Sequence, residues 1–158
     1  MTARRYWLVK SEPEAFSWDD LWRAPKRTTS WEGVRNFQAR NILRDEMKKG
    51  DGVLFYHSST AVPAVRGLAE VVREGYPDPT AFDKKSDYYD PKSDPKSPSW
   101  FAVDLRAVEP LPRPVELPEL RRTPGLEQMT LLKKGSRLSV QPVSAEEWRI
   151  ITSLGKRT

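Results

Sequence analysis

Four groups of residues carry side chains able to do chemistry: Lys10, Ser11 and Glu12; the run from Trp31 to Asn36; Tyr56, His57 and Ser58; and Gln141. Lys10 and Glu12 stand two apart, so on extended backbone they face the same side. A lysine beside a carboxylate can pass a proton. The same pair can be a salt bridge, the commonest arrangement, or a polar floor under a ligand. Trp31 offers a flat face, and Arg35 and Asn36 offer hydrogen-bond donors next to it. His57 is the one histidine and there is no cysteine. That excludes a Cys–His dyad and a metal site built from several histidines. A Ser-His-Asp triad would need His57 with a serine other than Ser58, because strand alternation sends those two side chains to opposite faces. A structural histidine at a strand end is the plainer reading. Taken together, aromatic faces at Trp31, Tyr56 and Tyr89 or Trp100, with short polar side chains around them, suit a flat heterocycle. An extruded base is held in that way, sandwiched by rings and read along its edge.

Strand ends and adjoining loops must position these groups. Tyr6 to Lys10 is β-prone and reads as a first strand that Pro13 stops. Ser17 and Asp20 form a capping box for a short helix over 18–24, and Pro25 ends it. Lys26 to Ser30 reads as a polar basic loop. Ala39, Leu43 and Met47 recur at i+4, with Ile42 widening the stripe, which predicts a helix over 36–47. In that helix Phe37 to Asn41 reads as packing rather than recognition. Gly52 to His57 is apolar nearly throughout, hence a strand buried on both faces, and Ala64 to Glu74 is a further strand. Residues 75–99 read as a long surface loop with five prolines. Phe101, Val103, Leu105 and Ala107 alternate in the clearest strand, 99–108. Pro110, Pro112, Pro114 and Pro118 then punctuate an irregular connection. Leu126 to Leu132 is apolar but ambiguous. Residues 135–142 make a turn into a last short strand, and Ser144 and Glu147 cap a terminal helix with Trp148, Ile151 and Leu154 along one side.

The chain has 158 residues, which fits one domain over 1–158 with an ordinary core. Its net charge of +5 and pI near 9.5 permit a polyanionic partner. Six tryptophans in a basic chain suit base stacking, though most must serve the core. No dinucleotide fingerprint, P-loop, zincin motif or EF-hand loop occurs. The apolar run Tyr6 to Val9 is too short for a signal-peptide core or a membrane span. The expectation is a soluble, cytoplasmic protein without membrane contact.

Six blocks carry a resemblance. Trp7-Leu8-Val9-Lys10-Ser11-Glu12-Pro13, the run from Trp31 to Asn41, Phe55-Tyr56-His57-Ser58, Tyr88-Tyr89-Asp90-Pro91, Trp100 to Asp104 and Arg137-Leu138-Ser139-Val140-Gln141-Pro142 resemble the EVE domain, in order over nearly the whole chain. The resemblance implies an α+β, PUA-like fold akin to the YTH and ASCH domains: a twisted, mixed, mostly antiparallel β-barrel with flanking helices. It implies non-enzymatic binding of a modified base, 5-methyl- or 5-hydroxymethylcytosine in DNA or a modified base in RNA. Carried over by position, Trp31 stacks on the base. Lys10, Ser11, Glu12, Val34, Asn36, Tyr56, His57 and Ser58 line the pocket, and Ser139 and Gln141 close one side. Arg27, Arg35, Arg40, Arg66, Lys133, Lys134 and Arg137 become phosphate contacts, Arg35 alternatively a loop anchor. Neither cofactor nor metal is implied, and a monomer is expected. The nuclear relatives carry an extended N-terminal region that this chain lacks, so a nuclear address is not expected. Two other functions stay open: an ASCH-like amidohydrolase acting on a modified nucleoside through Lys10 and Glu12, and a sensor of a free nucleotide-like small molecule.

Overall fold

The computed structural model describes residues 4–135 and 137–157, which form an α+β fold around a six-stranded mixed sheet. In chain order the strands are β1 (Tyr6–Ser11), β2 (Thr28–Trp31), β3 (Gly52–His57), β4 (Ala64–Pro77), β5 (Phe101–Glu116) and β6 (Val140–Val143). They lie side by side as β2-β5-β4-β3-β1-β6. Among the described residues β1 and β3 pair in parallel, and the other four ladders are antiparallel. The expected PUA-like, mostly antiparallel arrangement is present, but the barrel is open: among the described residues β2 and β6 are the two edges, and no ladder joins them. Each edge strand is four residues long. The sheet is curved by register shifts along the β4–β5 ladder, where extra residues bend the strands.

Strands buried on both faces explain the apolar runs. In β1, Trp7 and Val9 enter one cluster and Leu8 the other; in β3, Val53 and Phe55 enter the first, and Leu54 and Tyr56 the second. The first cluster is covered by α1 (Trp18–Arg23), α2 (Phe37–Asn41) and the π-turn Ile42–Glu46 that continues it. The second lies under α3 (Leu117–Arg122), α4 (Ala145–Lys156) and the 3-10 turn Thr130–Leu132. Both expected capping boxes form, Ser17 with Asp20 and Ser144 with Glu147. The helix expected over 36–47 breaks into α2 and the π-turn, whose Met47 N–H donates to Ile42 O at 3.0 Å. The wider turn brings Ile42, Leu43 and Met47 together into the core.

Two segments differ from the sequence reading in instructive ways. The supposed basic loop before Trp31 contains β2, whose partners Thr28↔Arg106 to Trp31↔Val103 add it to the edge of β5. The supposed proline-rich connection is the second half of β5. Pairing with β2 ends at Arg106, and among the described residues no other strand pairs with the outer edge of β5 beyond it. Pro110, Pro112 and Pro114 recur every second residue, which aligns their missing N–H groups along one edge.

Candidate functional site

A cleft of about 680 Å³ opens where the C-terminal ends of β1 and β2 meet. Lys10, Ser11 and Glu12 arrive from β1, and Thr29, Ser30 and Trp31 from β2. Phe16, Tyr88 and Ser139 complete it from loops. Trp31 is half-buried, and its ring meets Phe55 edge-on, at 5.7 Å and 81°, and Phe16 at 6.4 Å and 75°. Each such pair contributes about 0.5–1.5 kcal/mol beyond area burial. Two perpendicular neighbours fix the indole's orientation while it remains part of the cleft wall.

The turn after Trp31 is held by a buried ion pair. Gly33 has φ +80, and a Cβ there would stand 2.7 Å from the Tyr88 ring, so only glycine lets the ring close on the backbone. The Gly33 N–H donates to Asp78 Oδ2 at 2.8 Å. Arg35 Nη1 donates to the same oxygen at 3.0 Å, and its fork also reaches Tyr88 O and Thr80 Oγ1. Asp78 is wholly buried. Burial alone would raise its carboxyl, but donors from Thr80, Gly33 and Arg35 outweigh it and hold the group below the usual carboxylate range. Arg35 therefore ties the 78–88 segment to the cleft wall.

The polar groups offer both donors and acceptors. Ser11 Oγ donates to Phe16 O at 2.5 Å, and the Lys10 N–H donates to Ser139 O at 2.9 Å. Burial lowers the Lys10 ammonium below its usual value. Tyr76 donates to Asp104 Oδ1, and burial followed by that bond pushes its hydroxyl up to about 12. Ser30 Oγ lies 2.7 Å from the Tyr76 oxygen and 3.2 Å from Glu32 Oε2. Its single proton serves only one of them at a time. Glu32 and Glu12 thus bring carboxylate acceptors to the cleft. Among the described residues no three metal-ligating side chains converge.

Of the residues singled out in the sequence, the cleft brings together Lys10, Ser11, Glu12, Trp31, Val34 and Ser139, with Arg35 beside them. Five others lie outside its lining. Asn36 is exposed and its Oδ1 caps α2, accepting from Ala39 N at 2.9 Å. Tyr56 faces the second core cluster, where burial raises its hydroxyl. His57 is buried, and its Nε2 accepts the Trp18 N–H at 3.0 Å; burial first, then Arg66, lowers its pKa. The Ser58 N–H donates to Ser11 O, and the buried Gln141 donates to Leu138 O at 2.8 Å. The basic residues also divide. Arg27 lies over the Trp22 ring at 3.5 Å, Arg40 binds Ser99 O, and Arg66 is half-buried near His57. Lys133, Lys134 and Arg137 are exposed on the run leading to Ser139. Sequence reasoning missed Phe16, gave Ser30 and Glu32 no role of their own within the stretch around Trp31, and favoured Tyr89 where Tyr88 lines the cleft. The Tyr88-Tyr89 pair in a polar loop was the available signal. Asp78, between two prolines, gave none.

The EVE domain family model matches residues 5–154. Human thymocyte nuclear protein 1 is 42% identical over 169 residues, covering 96% of this chain and 74% of that protein. The structure of the human THYN1 protein in complex with 5-methylcytosine-containing DNA superposes with a TM-score of 0.90, at 41% identity, covering 98% of this chain and 99% of that one. Protein PSPTO5229 of Pseudomonas syringae gives 0.89 at 46% identity, covering 95% and 99%. The YTH domain of Zygosaccharomyces rouxii MRB1, at 17% identity and a TM-score of 0.56 over 100% of this chain and 88% of that one, shows the shared PUA-like fold alone.

Proposed function

Because the chain belongs to the EVE domain family, we propose that it binds a modified base, foremost 5-methylcytosine, extruded from DNA or RNA into the cleft beside Trp31. The observation that carries this reading is the indole itself, half-buried and held at right angles by Phe16 and Phe55 in a cleft of ligand-site size. Stacking contributes roughly 1–3 kcal/mol per base. That offsets the few kcal/mol that unstacking costs, which is least for an already single-stranded base. Glu12 and Glu32 accept from an exocyclic amine, as carboxylates do from cytosine N4. The family relation supports the same ligand: the human relative was solved with 5-methylcytosine-containing DNA. Lys133, Lys134 and Arg137 suit the backbone on the Ser139 side.

The test is a panel of matched oligonucleotides, DNA and RNA, that differ in one base modification. Wild type should prefer one modification, and Trp31→Ala should lose roughly 5- to 100-fold on it. Equal binding of the whole panel by both proteins would refute the stacking site. The burial that lowers Lys10, two residues before Glu12, favours one second reading, hydrolysis of an N4-acylcytidine. It requires turnover that Lys10→Ala abolishes; no turnover at high protein concentration removes it.

A further inference from the structure

Phe37 does not do what its place in α2 suggested. It is 59% exposed, while Ala39 behind it is fully buried. Its ring is nevertheless fixed. Trp100 stacks beneath it, with centroids 4.7 Å apart and planes 22° from parallel. Trp100 is buried and its indole N–H donates to Asp90 Oδ2 at 2.7 Å, so the supporting ring is anchored in turn. The Arg40 guanidinium stands 4.9 Å from the Phe37 centroid. Its Nε binds Asn41 Oδ1 and its Nη1 binds Ser99 O, which leaves Nη2 directed to neither.

This shelf is continuous with the cleft. Arg35, which lines the cleft, places its guanidinium carbon 5.2 Å from the Trp100 ring and 5.6 Å from the Tyr88 ring. Phe37 is thus one ring beyond the cleft wall. An exposed, pre-oriented aromatic beside an arginine is the pairing that holds a base of any identity, because every base has a π-face and its phosphate needs a cation.

We propose that Phe37 stacks on the nucleotide next to the one held in the cleft, with Arg40 Nη2 turned to the connecting phosphate. The proposal rests on the base-binding reading and names a second, sequence-tolerant subsite for it. It also implies that the full ligand is an oligonucleotide rather than a free nucleoside.

The test compares wild type, Phe37→Ala, Phe37→Leu and Trp31→Ala on three probes: 5-methyl-2′-deoxycytidine, a short oligonucleotide carrying one 5-methylcytosine, and the same oligonucleotide with an abasic site on either side of it. Phe37→Leu retains an apolar contact on Trp100 and guards against loss of fold, checked by the urea midpoint. Both Phe37 variants should weaken oligonucleotide binding roughly 5- to 100-fold and leave nucleoside binding unchanged. One abasic neighbour should weaken wild type by a similar factor and the Phe37 variants no further. Oligonucleotide affinity equal to wild type in both variants, or equal loss on nucleoside and oligonucleotide, would overturn the subsite while leaving the cleft intact. If wild type ignores the methyl group and Trp31→Ala binds as wild type does, the cleft reading itself fails and the subsite falls with it.

Discussion

Replacing Arg35 by alanine should loosen the cleft wall at a measurable cost in stability. The substitution removes the ion pair to Asp78 at 3.0 Å, the bonds to Tyr88 O and Thr80 Oγ1, and the cation–π contacts to Tyr88 and Trp100. Breaking a buried ion pair from one side costs about 3–5 kcal/mol, because the remaining charge is stranded. Here the Asp78 side chain is 0% exposed and Arg35 23%. Asp78 would keep three donors, from Gly33 N, Thr80 N and Thr80 Oγ1, so the expected loss is lower, about 2–3 kcal/mol. Arg35→Lys keeps charge but not the fork, and should lose less, about 1–2 kcal/mol. Urea unfolding at pH 7 measures both. The double variant Arg35→Ala with Asp78→Asn should be less destabilised than the sum of the singles, with a coupling of about 1 kcal/mol or more. The acid limb supplies a second readout. Asp78 is held below its ordinary value, so its contribution is present above that value and is lost as pH falls through the lowered one. In Arg35→Ala that loss should begin at higher pH. An unchanged urea midpoint and an unchanged acid limb in Arg35→Ala would refute the idea that this pair holds the wall.

Gly33→Ala places a Cβ 2.7 Å from the Tyr88 ring at φ +80; it should destabilise by about 1–3 kcal/mol and weaken ligand binding, read by urea unfolding and titration. His57 is the one imidazole of the chain, so its NMR titration is free of overlap and should give a pKa below 6.5. Its contribution to stability should be complete above the ordinary histidine value and fall as pH drops through the lowered one, since a protonated Nε2 cannot accept the Trp18 N–H. His57→Ala should remove that pH dependence from urea midpoints. Lys133→Ala and Lys134→Ala should weaken oligonucleotide binding alike across base modifications. Each should also reduce the slope of log affinity against log salt by about 0.7–0.9 if its lysine meets a phosphate.

Much of the fold was legible where local chemistry decides it. Ser17 with Asp20 and Ser144 with Glu147 state helix starts directly, and the unbroken apolar runs at Trp7–Val9 and Val53–Phe55 state strands covered on both faces. β2 was hidden because Thr28 to Ser30 are polar and half-buried, and the strand exists through its ladder with β5. The Pro110–Pro114 strand was hidden because prolines signal a break unless the outer edge lacks a neighbour, which depends on the whole sheet. The site divides similarly. Residues at the end of β1 and around Trp31 were found from strand ends and residue types. Asn36, Tyr56, His57 and Gln141 carry equally suitable groups, but capping, sheet face and burial direct them elsewhere. Asp78 could not be found from its type, since aspartates are rarely wholly buried.

The most direct test of the base-binding cleft is an isotope-filtered NOE experiment on the protein bound to an oligonucleotide carrying one 5-methylcytosine. Nuclear Overhauser contacts between the 5-methyl-bearing base and the Trp31 ring, with Tyr88 or Val34 alongside, are the expected result. Contacts of that base confined to another surface, such as the second cleft between Arg4 and Glu74, would contradict the cleft as the place where the modified base is held.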